Sequence, residues 1–248
     1  MEPDPEMGDR APARKGDFSP GSPLPIEGLG DISLADLLGQ PGCPICRLRR
    51  DSSERYLRAL LWEGVNDIGF RERLSAGRGF CRRHAHETLA ADRAQSGGSV
   101  GTAILLGSMA RGRLGELKRL PTNRTRRARE AVRMASQPPS CPICDHVSAA
   151  ERMAVDRLLA RLTDARWRGA LAFAELCLDD LLRMWATATD GRNPDWPEVA
   201  SAQLARVEQL VGRLDSFAHH SSHDRRHLLT DAERRVADEA AAFFGGSR

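Results

Sequence analysis

A chain of 248 residues is long enough for two ordinary domains, and with 41% hydrophobic but only 5% aromatic residues it is poorly supplied for a sheet-built core. The formal net charge of +3 sets 37 Lys and Arg against 34 Asp and Glu, so the surface is mixed and does not have the strongly basic balance of a dedicated nucleic-acid binder. All of those cations except Lys15 and Lys118 are arginines, a bias we assign to base composition and a solvated surface.

Residues 1–30 are rich in Pro, Gly, Asp and Glu. They carry too little apolar surface to offset the entropy of ordering, so a disordered tail is expected. The tail has no apolar segment of the kind that marks a signal peptide. A short helix is predicted over Ile32–Leu38, stopped by Gly39, and Arg47–Glu63 follows as a helix with Leu48, Tyr56, Leu57, Leu60 and Leu61 on one side. Further helices are predicted from about Asn66 to Ala76, from Phe80-Cys81 through His84 and Leu89, and from Val100 to Leu120. The segment 121–140, with three prolines and several arginines, reads as a linker that has room for a helix around Arg126–Ala135. The order then repeats: a helix from the second cysteine turn to about Leu162, a short one over Asp164–Ala174, and a third opened by Leu176-Cys177. Val199–Phe217 reads as a long amphipathic helix with Leu204, Val207, Leu210, Val211 and Leu214 inward. Thr230 and Glu233 make a capping box for a last helix, Asp231–Phe244. The expectation is an all-α fold of two duplicated helical modules, 31–120 and 141–246, with no membrane span.

Cysteine placement carries the strongest signal. Cys-Pro-Ile-Cys occurs at Cys43–Cys46 and again at Cys141–Cys144. Each copy is followed by a third cysteine after a gap of 34 or 32 residues: Cys81, with His84 three positions on, and Cys177, with Asp180 three positions on. Glu54-Arg55 against Glu151-Arg152, and Phe70-Arg71 against Trp167-Arg168, extend the match at an offset of 97. Two residues between ligands let both side chains face one ion, which gives a closed Cys3His set from Cys43, Cys46, Cys81 and His84. The second copy offers Cys3Asp from Cys141, Cys144, Cys177 and Asp180. Zinc is expected at the first site, and a second zinc at the other. A histidine from His219, His220, His223 or His227 is an alternative fourth ligand there, and loss of that metal is another outcome. An iron–sulfur cluster or a redox use of the Cys-Pro-Ile-Cys turns is the rival chemistry. A thioredoxin-like reading fails for want of a strand–helix setting.

The run His219–His227 reads as a polar connector, or as a metal or anion site with Arg225 and Arg226. No nucleophile–base order, phosphate loop or paired-carboxylate pattern is present. The expectation is therefore a cytoplasmic, non-catalytic, zinc-stabilised binding or adaptor protein with a protein partner, nucleic acid being second. The rivals are a thiol or metal sensor and an enzyme built on the histidine and arginine cluster.

Gly42-Cys43-Pro44-Ile45-Cys46 with Gly79-Phe80-Cys81-Arg82-Arg83-His84 resembles an uncharacterised bacterial family of unknown function that has duplicated Cys-Pro-x-Cys and Phe-Cys-x-x-His elements. The resemblance implies a helical fold from about Asp31 to Gly246 with duplicated metal sites, and it implies no activity. This chain departs from the pattern at Asp180, where the second histidine is expected, and at Arg225, where a tyrosine is.

Overall fold

The computed structural model describes residues 23–123, 125–221 and 229–246. Eleven α-helices and no strand occur among them: α1 (Leu29–Leu38), α2 (Pro44–Ala59), α3 (Ile68–Ala76), α4 (Arg82–Ser96), α5 (Val100–Lys118), α6 (Arg126–Ala135), α7 (Pro142–Ala160), α8 (Ala165–Phe173), α9 (Leu178–Asp190), α10 (Trp196–His220) and α11 (Asp231–Gly245). The order follows the one predicted from periodicity. α2 runs on through a π-helical turn, Leu60–Gly64, and α7 through a 3-10 turn, Arg161–Thr163.

Local chemistry explains the boundaries. Pro44 and Pro142 open α2 and α7, where a missing N–H costs no helical bond. Asp67 accepts from the Phe70 amide at 3.1 Å to cap α3, and Asp164 accepts from the Arg166 and Trp167 amides at 2.7 and 3.4 Å to cap α8. These two caps stand at equivalent positions of the two cysteine-led runs, and α3 and α8 are each nine residues long. Thr230 and Glu233 form the expected capping box at α11.

The contacts divide the chain into two units, residues 45–155 and residues up to 44 together with 156 onward. This differs from the expected division into 31–120 and 141–246, because each unit draws on both sequence copies. In the 45–155 unit, Leu57, Leu60, Val65, Leu74, Phe80 and Leu105 form a core with Cys141, Ile143 and Val147 from the start of α7. The second cysteine turn is thus buried among the helices of the first copy. Burying a side chain such as Leu105, which is fully enclosed, is worth about 1.5–3 kcal/mol.

In the other unit α10 packs on α8, α9 and α11. Its buried stripe is Trp196, Val199, Ala200, Gln203 and Leu210. Leu204 and Val211, expected inward, are half exposed. A buried glutamine displaces the apolar register: the Gln203 Nε2 donates to the carbonyls of Leu171, Ala172 and Ala174 at the end of α8 at 2.9, 3.1 and 2.9 Å. The Leu171 carbonyl also accepts from the Ala174 amide, and the Ala174 carbonyl from the Leu176 amide, so Gln203 adds to the partners of a helix terminus that lacks intrahelical ones.

The expected tail 1–30 lies partly outside the described residues, but residues 23–30 are anchored. The Pro25 carbonyl accepts from the Trp167 indole at 3.1 Å, and Glu27 pairs with Arg161. Asp31, fully buried, accepts from Arg157 and Arg161 at 2.8 and 2.7 Å. Burial pushes its carboxyl up, but the Glu27 amide and the two guanidiniums outweigh that and hold it at about 2. A carboxyl held below its ordinary 3.8 stabilises the fold above that pH, and the contribution is lost as pH falls toward 2. Melting curves between pH 6 and 2 are expected to show a steep acid loss that Asp31→Asn flattens. An unchanged pH profile in that variant would remove Asp31 from the account.

The turn ahead of α4 is conformationally demanding, with Arg78 at φ 66° and Gly79 at φ 93°. A side chain at 79 would have to adopt that left-handed backbone and displace the Met109 thioether. Gly79→Ala should cost about 1–2 kcal/mol, read as a lowered denaturation midpoint. A midpoint equal to that of the parent would show that the turn relaxes freely.

Candidate metal centres

All four ligand pairs stand at helix N-termini. Cys81 and Cys177 are the N-caps of α4 and α9, in extended conformation with ψ of 165° and 163°. His84 and Asp180 follow three positions on, at the third helical residue. Cys43 and Cys141 directly precede α2 and α7, and Cys46 and Cys144 again occupy the third helical position. These two positions face one another in the first turn, as the partners in a capping box do. The positive end of the helix dipole also favours thiolate there.

The structure brings the pairs together in a crossed order. Cys81, His84, Cys141 and Cys144 form one group, and Cys43, Cys46, Cys177 and Asp180 the other, with ligand atoms in each within 4.8 Å of one another. The own-copy sets expected from the sequence, Cys43-Cys46-Cys81-His84 and Cys141-Cys144-Cys177-Asp180, are thereby corrected. The reason is reach. The 16 residues of α2 and the five of its π-turn carry the chain about 31 Å along from Cys43, and the nine of α3 recover only about 13 Å. The same long outward run and short return follow Cys141. Cys-x2-His and Cys-x2-Asp therefore meet the turn of the other copy.

In the first group the His84 Nδ1 lies 3.3 Å from the sulfurs of Cys81 and Cys141 and 3.2 Å from that of Cys144. The Cys81 and Cys144 sulfurs are 3.6 Å apart. A tetrahedral zinc bound at about 2.3 Å to sulfur and 2.0 Å to nitrogen would place such neighbours about 3.5–3.8 Å apart. A disulfide needs about 2.05 Å, and none of the six cysteines forms one. The donors fit a tetrahedral cation with a few tenths of an ångström of expansion.

Electrostatics point the same way. Burial, and then the neighbouring Cys81 and Cys141, push the Cys144 thiol up to about 12. Burial also pushes Cys81 up, but the backbone amides of His84 and Arg83 and the adjacent thiols outweigh it and bring Cys81 below its ordinary value. Three crowded sulfurs resist ionising together unless a cation compensates them. Burial and then Arg83 lower His84, keeping the imidazole neutral as a ligand must be. Behind it Nε2 lies 3.6 Å from the Glu87 carboxylate, which also accepts from the Ser53 hydroxyl at 3.0 Å. A carboxylate behind the distal nitrogen is the usual device for orienting a metal-bound imidazole. Arg83 Nη2 is 2.9 Å from the same nitrogen. That approach suits the other tautomer, so metal at Nδ1 would turn Nε2–H toward Glu87.

In the second group the Asp180 Oδ2 accepts from the thiols of Cys43 and Cys177 at 3.1 and 3.0 Å, and Asp180 is fully buried. The Arg49 guanidinium donates to the Cys46 sulfur at 3.4 Å. Three thiolates and a carboxylate around a divalent cation would leave two net negative charges, against one for the first group. Neither His219 nor His220 belongs to either group. His220 instead lies 2.9 Å from Glu233, while His223, Arg225, Arg226 and His227 fall outside the described residues. The eight residues expected from the sequence as ligands are the eight that make up the two groups. Arg49, Glu87 and Ser53 were not expected there, their only signal in the sequence being a helical spacing from the cysteine and histidine turns.

Residues 27–166 match the family of unknown function DUF6062. The chain belongs to that family. The matched region contains the whole first group and, of the second, only Cys43 and Cys46. No curated protein and no solved structure matches the chain.

Proposed function

We propose that this DUF6062 protein is a non-catalytic helical binding protein held in shape by two zinc ions, one in each crossed group. The observation that carries the reading is closure. Each group offers four protein ligands, of which His84, Asp180, Cys43, Cys141 and Cys177 are buried. A cation with four protein ligands has no open position for substrate or water. Thiolate-rich donor sets favour zinc over harder divalent ions. Six cysteines without a disulfide suit a reducing cytoplasm, and no described helix is long and apolar enough to cross a membrane.

A protein partner is the better match to the surface. Leu114 and Leu117 are half exposed three apart on α5, and Trp62 is largely exposed; α6 carries four arginines and one acid, Glu130, which pairs with Arg133. Nucleic acid comes second, with weak and salt-sensitive binding as its signature. A thiol-sensor reading draws on one specific observation, the partial exposure of Cys46, Cys81 and Cys144.

Metal analysis of untagged protein tests the proposal. Two zinc ions per chain and a colourless solution are expected. Iron with visible absorbance would replace zinc by a cluster, and metal-free, fully folded protein would end the reading. Zinc release by mild peroxide without unfolding would favour the sensor.

A further inference from the structure

Next to Cys43, in the unit that contains α8–α11, is a cavity of about 260 Å³. Its floor is apolar: Leu176 and Leu210 are buried, and Val207 and Phe243 are partly so. A dry cavity of about 150 Å³ already holds benzene, so this one accommodates a ligand with a longer apolar body.

Two polar features define the other end of that ligand. Gln203, which is 2% exposed, also lines the cavity. Because its Nε2 is committed to the α8 carbonyls, its Oε1, which receives no hydrogen bond among the described residues, is the acceptor it brings there. The second feature is the charge of the rim, where three carboxylates face two guanidiniums. Arg206 lies 3.6 Å from Glu175 and donates to the Ala174 carbonyl, and Arg213 pairs with Glu239 at 2.6 Å. Asp238 has no cationic partner among the described residues. The Gln203 oxygen can accept from a donor that enters the cavity, and the rim carries one carboxylate more than its guanidiniums. We infer that this cavity binds a small organic ammonium with an apolar body, the chain seated on Leu176, Val207, Leu210 and Phe243 and the cation toward Gln203 and Asp238. The inference is independent of metal identity and goes beyond the structural role given to the zinc ions.

The test uses the full-length protein as purified and three probes on one skeleton: 4-phenylbutylammonium, 4-phenylbutanol and 4-phenylbutyrate. Calorimetry should give the ammonium a dissociation constant of about 0.1–1 mM, ordinary for about eleven non-hydrogen atoms, with the alcohol weaker and the carboxylate weakest. Ala242→Trp, at an exposed rim position, should block the cavity and abolish binding while leaving the melting temperature unchanged. Asp238→Lys, also exposed, should weaken the ammonium about tenfold and invert its preference over the carboxylate. The inference is overturned by tighter binding of the carboxylate, by equal binding of all three probes, by no binding below 5 mM, or by binding that survives Ala242→Trp.

Discussion

Cys81→Ser is expected to remove one metal ion per chain and lower the melting temperature by at least about 15 °C, because structural zinc in small peptides is worth about 10–16 kcal/mol apparent and a domain's whole stability is about 5–15 kcal/mol. The sulfur sits at the N-cap of α4, against Cys141 and Cys144 from the start of α7. Its loss opens a link between segments 60 residues apart and leaves buried thiols around a hole. The crossed arrangement adds a sharper expectation. Cys81→Ser and Cys141→Ser disable the same site, so the double variant should cost little more than either single one. Cys81→Ser and Cys43→Ser disable different sites, and their costs should sum. The reverse pattern, with Cys81 coupled to Cys43 and independent of Cys141, would restore own-copy pairing. A parent that holds zinc but melts no higher than Cys81→Ser would show that the ion is not structural.

Graded chelation is expected to empty the Asp180 site first. A carboxylate is a harder ligand than imidazole in a thiolate-rich set, and the Cys3Asp group carries one more negative charge into a buried place. Arg49, donating to Cys46, offsets part of that charge. Asp180→His should tighten this site about tenfold or more toward the affinity of the first. Arg49→Ala should weaken it without touching the first. Simultaneous release from both sites, or an Asp180→His variant with unaltered release, would show that the fourth ligand does not set the difference.

Much of this was legible in the sequence for definite physical reasons. Helix positions follow from 3.6-residue periodicity, and their ends from chemistry that acts within a few residues: Pro44 and Pro142 at helix starts, Asp67 and Asp164 as caps, Thr230 with Glu233. The eight metal-ligand candidates follow from spacing, because two intervening residues place both side chains on one face of a first helical turn. Burial faces were less legible. Leu204 and Val211 match an apolar stripe as well as Leu210 does, and only the α8 carbonyls that Gln203 satisfies decide which face of α10 turns inward. Asp31 looked like the edge of a tail because its partners, Arg157 and Arg161, are about 130 residues away.

By itself the sequence determined that the protein is helical, where its helices lie to within about a turn, and which residues are equipped to hold a cation, since all of these are set by contacts within one or two turns. Only the tertiary structure decided which pair meets which. Both cysteine turns are locally alike, so nothing within a turn distinguishes own-copy from crossed closure. The choice comes from the length of α2 and α7 against the shortness of α3 and α8, a matter of distance travelled through space. The cavity beside Cys43 has the same origin, because it exists only where α10 and α11 pack beside the Glu175–Leu176 turn.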